Sequence, residues 1–157
     1  MRVRFLSLGC RVNQYEAQAL EGLFSQNGFT VVLDGEADVF VINSCTVTSA
    51  ADHKSRQAVR RVRREHPGAV VVLTGCLPQA APDAARALPE ADIVTGSLDR
   101  AGLVGKVQRF LQDGERRISI PAFSPGEAFE PLEIGRFDES FQRAYLKVED
   151  GCDRFCS

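Results

Sequence analysis

Val70-Val71-Val72-Leu73-Thr74-Gly75-Cys76 is an apolar run that closes on a glycine and a cysteine. Two upstream runs also lead through a small residue into a cysteine, Phe5-Leu6-Ser7-Leu8-Gly9-Cys10 and Val39-Phe40-Val41-Ile42-Asn43-Ser44-Cys45. Short apolar runs of this kind, bounded by glycine or small polar residues and separated by helix-like segments, read as strands of a parallel α/β sheet. Each cysteine then lies just past the carboxyl end of its strand, and all three thiols share one edge.

Working outward, the segment from Tyr15 to Gln26 sets Ala19, Leu20, Leu23 and Phe24 at helical spacing and stops at Asn27-Gly28. Phe29 to Leu33 reads as a second strand and Asp38 to Asn43 as the third. A long helix is expected from Ser49 to Glu65, with Ala51, Ala58, Val59 and Val62 on its apolar face and Pro67-Gly68 as its stop. Ala69 to Thr74 is the fourth strand, a short helix follows Pro78 or Pro82, Asp92 to Thr95 is the fifth strand, and a last helix spans Asp99 to Gln112. This alternation predicts a flavodoxin-like, three-layer α/β fold with a mostly parallel five-stranded sheet in the order 2-1-3-4-5, plus a C-terminal extension.

Open α/β sheets bind ligands beyond the carboxyl ends of their strands, where strand order reverses. In the order 2-1-3-4-5 the cysteine-bearing strands are neighbours, and adjacent strands lie about 4.8 Å apart. Three loops so spaced bring their sulfurs around an object only several ångströms wide, the size of a metal cluster.

The 157 residues suit one domain and an extension, and such a domain folds without disulfide staples. A hydrophobic fraction of 44%, a charged fraction of 25% and a net charge of -2 are ordinary for a soluble globular protein and single out no partner. No apolar run approaches the ~20 residues of a membrane span, and the chain opens on a strand-like segment instead of a signal peptide, so the expected location is cytoplasmic. Five cysteines in a reducing compartment point to metal binding or catalysis in preference to disulfides.

Residues 1–120 are expected to form the α/β domain. From residue 121 to 142 the periodicity breaks: Pro121, Pro125 and Pro131 alternate with acidic residues and with Phe123, Phe129, Phe137 and Phe141, which reads as a linker. Residues 143–157 resume with a strand-like stretch that ends in Gly151-Cys152-Asp153-Arg154-Phe155-Cys156-Ser157.

Three thiolates on a cubane iron-sulfur cluster leave one iron without a protein ligand, and an open coordination position distinguishes a reactive metal site from a closed structural one. Structural zinc is the competing assignment. Its cysteines usually come in close pairs, whereas these come one per loop at long intervals.

The stretches Gly9-Cys10-Arg11-Val12-Asn13-Gln14-Tyr15-Glu16, Asn43-Ser44-Cys45-Thr46-Val47-Thr48, Thr74-Gly75-Cys76 and Tyr145-Leu146-Lys147-Val148-Glu149-Asp150-Gly151-Cys152-Asp153-Arg154-Phe155-Cys156 resemble the methylthiotransferases of the radical S-adenosylmethionine superfamily. Nearly the whole chain is similar to their amino-terminal domain. The wording after Cys10 and Cys45 is most similar to the subfamily that methylthiolates N6-threonylcarbamoyladenosine in tRNA, beside the anticodon. The resemblance implies that Cys10, Cys45 and Cys76 hold an auxiliary 4Fe-4S cluster, and that Cys152 and Cys156 are two ligands of a second, radical-generating 4Fe-4S cluster that cleaves S-adenosylmethionine. It implies tRNA as partner and adenine C2 as the modified carbon. The chain lacks the third cysteine of CxxxCxxC, the rest of the radical domain and the RNA-binding domain, so it reads as a fragment that is not active alone. Alternatives are a methylthiotransferase of a ribosomal protein or of isopentenyladenosine tRNA, or a non-catalytic metal-binding module.

Asn13 and Asn43 lie within three residues of Cys10 and Cys45, where their amides either hydrogen-bond cluster sulfurs or lock the loops. Gly9 and Gly75 suit a sharp turn or a close approach. The helix after Cys45 carries Lys54, Arg56, Arg60, Arg61, Arg63 and Arg64 against Asp52 and Glu65. Arg56, Arg60, Arg63 and Arg64 are candidates for RNA phosphate contact, with a solvated polar face as the alternative. His53 and His66, near the helix ends, read as surface residues.

Overall fold

The computed structural model describes residues 1–122. The expected linker beyond Ala122, the start of a second domain, and Cys152 and Cys156 lie outside the described residues.

The elements run β1 (Arg2–Ser7), α1 (Arg11–Gln26), β2 (Thr30–Val32), β3 (Val39–Ser44), α2 (Ser49–Glu65), β4 (Val70–Gly75), α3 (Cys76–Ala80), α4 (Pro82–Arg86), β5 (Ile93–Thr95), α5 (Leu103–Asp113) and β6 (Arg117–Ser119). The strands form one sheet in the order β2-β1-β3-β4-β5-β6, with every pairing parallel. The predicted α/β class and the order 2-1-3-4-5 hold, and the sheet carries a sixth strand that the sequence reading did not anticipate. β6 is three residues, Arg-Ile-Ser, too short and too polar to show an alternating pattern. It pairs only with β5.

Alternation along the two central strands builds a core on each face of the sheet. In β3 and β4, Phe40, Ile42, Val71 and Leu73 point to the face covered by α2, α3 and α4, where Val59, Val62, Leu77 and Ala85 meet them. Val39, Val41, Val70 and Val72 point the other way, against Leu20 and Phe24 of α1 and Leu103, Val104 and Val107 of α5. Both strands are buried throughout, which is why they read as unbroken apolar runs.

α2 begins where the Thr48 hydroxyl accepts the Ala51 amide at 3.1 Å, with Asp52 in the first turn and Arg63 and Arg64 in the last, matching the helix dipole at both ends. α5 ends on Gly114, whose φ of +69° is the left-handed cap that glycine fills without strain. α1 starts directly after Cys10, four residues before the expected Tyr15, so Arg11 to Gln14 are helix and not loop. Two short helices, α3 and α4, stand where one was expected. No described helix is long and apolar enough to cross a membrane.

Candidate metal centre

The parallel register brings the cysteine loops together. Ser44 of β3 pairs with Gly75 of β4, so Cys45 and Cys76 are the next residues on adjacent strands. On the other side of β3, Ser7 pairs with Asn43, and the Leu8 amide donates to the Asn43 carbonyl at 3.0 Å, carrying the ladder one residue past β1 toward Gly9 and Cys10. The expectation of a shared edge is met for the three strands β1, β3 and β4. Cys45 is buried, while Cys10 and Cys76 are partly exposed, so the rim opens to solvent on two of its three sides.

Two glycines allow the loops this close. Gly9 has φ +107°, and a Cβ placed there would fall on the Cβ and Sγ atoms of Cys45. The Cys45 side chain therefore lies against the bare backbone of the first loop. Gly75 has φ +93°, and a Cβ there would press on the Asn43 side-chain oxygen and come within 2.7 Å of the Ser44 carbonyl oxygen.

The two asparagines lace the loops. The Asn13 amide donates to the Leu8 carbonyl at 2.9 Å and to the Ser44 carbonyl at 2.8 Å, and the Asn43 amide donates to the Asn13 carbonyl at 3.0 Å. Of the two roles considered for them, the N–H groups perform the locking one. Of their oxygens, Asn13 Oδ1 accepts from Cys10 Sγ at 3.7 Å, and Asn43 Oδ1 is buried without a hydrogen-bond partner among the described residues. The Ser44 hydroxyl donates to the Thr74 carbonyl at 2.6 Å and accepts the Leu77 amide at 3.1 Å, fixing the start of α3 beside Cys76. The Ser55 hydroxyl of α2 accepts the Cys45 amide at 3.2 Å and lies 3.3 Å from the Cys45 carbonyl.

Beneath the rim lies an ion pair that the sequence did not disclose. Arg100, in the loop after β5, meets Glu16 of α1 at 2.9 Å, both side chains 3% exposed. No short-range signal links residues so distant in the chain. Both act on the site. Burial pushes the Cys76 thiol up, the neighbouring Cys45, Glu16 and Cys10 push it the same way, and Arg100 opposes them. Both other thiols are thus close enough to act on Cys76.

A single ion and a cluster ask different things of the donor set. A zinc ion draws its sulfurs in to about 2.3 Å each. Among the described residues no three His, Cys, Asp or Glu side chains are gathered to hold a single metal ion. A cluster in which each thiolate binds a different iron needs a wider ring of soft donors with polar groups around it. One thiol per loop and glycine-lined walls fit that demand.

The arginines proposed for RNA contact divide. Arg63 donates to the carbonyls of Glu90, Pro67 and Ala69 at 3.0–3.1 Å and pairs with Asp92 at 2.5 Å, so it fastens α2 to the loops around β4 and β5. Arg56 is held by Asp52 one turn earlier at 3.1 Å. Arg60 and Arg64 extend into solvent, joined by Arg61 and Lys54 along a groove. His66 is not a bare surface residue: its ring stacks on Phe40 at 4.5 Å and its Nδ1 lies 2.9 Å from Glu36.

Comparison with known proteins places this architecture. The isolated REC domain of RcsB from Salmonella enterica serovar Typhimurium superposes with a TM-score of 0.54 over 75% of this chain and 92% of that one, at 11% identity, a likeness of fold alone. The threonylcarbamoyladenosine tRNA methylthiotransferases MtaB of Aquifex aeolicus and Bacillus subtilis are 38% and 37% identical over 100% and 99% of the chain, covering 38% and 34% of their own lengths. A ribosomal protein uS12 methylthiotransferase RimO, from Desulforudis audaxviator, is 32% identical over 99% of the chain and 35% of its own length. The chain thus spans little more than a third of these relatives. Residues 2–96 match the family described as Uncharacterized protein family UPF0004, and by that match and its full-length likeness to methylthiotransferases the chain belongs to this family.

Proposed function

We propose that this chain is the auxiliary-cluster domain of a tRNA methylthiotransferase, one that modifies C2 of N6-threonylcarbamoyladenosine next to the anticodon in the cytoplasm. The observation that carries the reading is the register: Ser44 opposite Gly75 makes Cys45 and Cys76 neighbours, and Gly9 seats the Cys10 loop against Cys45. Two MtaB proteins at 38% and 37% identity support the tRNA substrate over the ribosomal-protein one, whose relative stands at 32%.

In this reading Cys10, Cys45 and Cys76 hold a 4Fe-4S cluster, which when bound supplies an iron with a free position for carrying sulfur. The chain's own residues shape its seat. Asn13 and Asn43 fix the three loops to one another, Ser55 anchors the Cys45 backbone to α2, and the Glu16–Arg100 pair sets the charge beneath the thiols. Partial exposure of Cys10 and Cys76 leaves an approach for substrate from the solvent side. Cys152 and Cys156 are assigned in the same reading as ligands of a second, radical-generating cluster that works with S-adenosylmethionine.

Anaerobic reconstitution with iron and sulfide tests the assignment. Wild type is expected to take up iron with broad visible absorption, and Cys45→Ala is expected to lose the share belonging to the auxiliary site. A colourless protein with stoichiometric zinc, or a Cys45→Ala variant that keeps all its iron, overturns it.

A further inference from the structure

Outside the thiol rim, a groove of about 530 Å³ runs along the outer side of α2, lined by Leu8, Lys54, Gln57, Arg60, Arg61 and Arg64. We propose that this groove seats the sugar-phosphate backbone of a single RNA strand and leads it toward the cysteine rim. The choice of RNA among polyanions rests on the tRNA reading above; the charge and shape of the groove do not.

Among the described lining residues four are cations and none is a carboxylate. The nearest acids are few and loosely engaged: Glu65 is shared by Arg61 at 4.0 Å and Arg64 at 3.7 Å, and Glu90 stands 3.6 Å from Arg60. The side chains of Arg60, Arg61 and Arg64 are 59%, 58% and 75% exposed, and ion pairs this open are worth little, so a phosphate displaces them at small cost. In a chain of net charge -2 such a concentration of positive charge is local. By contrast Arg63, on the same helix, is consumed by structural bonds and takes no part.

Dimensions and chemistry narrow the occupant. Lys54 and Arg64 are ten residues apart on one helix, a row of roughly 15 Å at the α-helical rise, longer than one phosphate needs. Among the described residues the lining holds no aromatic ring on which a base could stack, and Gln57 is its one neutral polar side chain. Recognition here is therefore of backbone and not of base, positioning a strand without reading its sequence. The groove also points somewhere. Leu8 is two residues before Cys10, and α2 starts four residues after Cys45, so the row begins at the rim and runs away from it.

The test uses this chain, a fluorescein-labelled unmodified tRNA transcript, and anisotropy titrations across salt. Log-affinity falls with log-salt by about 0.7 for each single-strand phosphate neutralised. A variant with Arg60→Gln, Arg61→Gln and Arg64→Gln is expected to shed about 2 from that slope and to bind at least about tenfold more weakly near 0.1 M salt. A charge-matched control, Arg2→Gln with Arg86→Gln and Arg109→Gln, is expected to keep the slope. The Arg→Lys version of the groove triple keeps charge and is expected to keep binding, which guards against an effect of misfolding. Equal losses in the two glutamine triples, or no loss in the groove triple, overturn the proposal. So does polyglutamate competing as well as RNA, which would make the groove a seat for acidic protein. Iron uptake measured in parallel separates the readings: RNA bound through the groove by a chain that takes no iron upholds the groove and removes the cluster.

Discussion

Adding one methyl group at Gly75 is expected to damage both the fold and the proposed metal site. The residue sits at φ +93° and ψ −149°, a region that is essentially glycine's alone, and forcing another residue there costs about 1–3 kcal/mol. The new Cβ would lie 2.7 Å from the Ser44 carbonyl oxygen and 3.0 Å from the Ser44 amide nitrogen. Both are backbone atoms of a central strand that cannot swing aside, so overpacking adds about 1–3 kcal/mol more. Gly75→Ala should therefore lose about 2–6 kcal/mol, a large part of the usual 5–15 kcal/mol of a domain. Its Tm should fall by well over about 5 °C. Gly105→Ala is the internal control: it lies within α5, its Cβ would meet nothing within 4 Å, and relief of glycine's helix penalty should stabilise by about 0.5–1 kcal/mol. Urea denaturation of both variants, with iron stoichiometry after anaerobic reconstitution, measures the two effects. A Gly75→Ala protein with an unchanged midpoint would refute the reasoning from close approach, and one with a lowered midpoint but full iron would detach Gly75 from the metal site.

Breaking the buried pair by Glu16→Gln or Arg100→Met is expected to cost about 3–5 kcal/mol each, because the partner charge is stranded, and the double variant should recover much of that loss in a denaturation cycle. Arg63→Ala should lose about 1–3 kcal/mol through its carbonyl and Asp92 bonds while leaving RNA affinity untouched, which an anisotropy titration beside a melting curve would check. The Asp113 carboxyl, held down to about 2 by its hydrogen bond from Arg117, should be seen by carbon NMR to titrate far below the ordinary carboxylate range. Its folded value is depressed, so the stability it lends is whole above about pH 4 and disappears as pH drops through about 2; Arg117→Ala should return it toward normal.

Much of this was legible in the chain because burial on both faces leaves β3 and β4 as unbroken apolar runs, and because the break from strand to helix period is sharp at each cysteine. The shared edge followed from parallel pairing alone. What escaped notice has definable causes. Arg-Ile-Ser of β6 offers one apolar residue, too few for a period. Arg11 to Gln14 carry one apolar residue, so nothing in their hydrophobicity announces that α1 has begun. Periodicity placed Arg60, Arg63 and Arg64 on a common basic helix, but whether a long side chain meets solvent or a carbonyl depends on Glu90 and Asp92, supplied by a later segment. The Glu16–Arg100 pair is a product of tertiary closure and has no local trace.

The two apolar layers on either side of the sheet close fully from side chains alone, and the asparagine lacing completes the rim with hydrogen bonds between protein groups. Under the proposed assignment, taking up the cluster is a separate equilibrium from acquiring the fold, unlike small zinc domains that are unfolded when empty. The same assignment predicts that a stripped centre leaves an intact receptor, refilled by iron and sulfide with no refolding of the polypeptide.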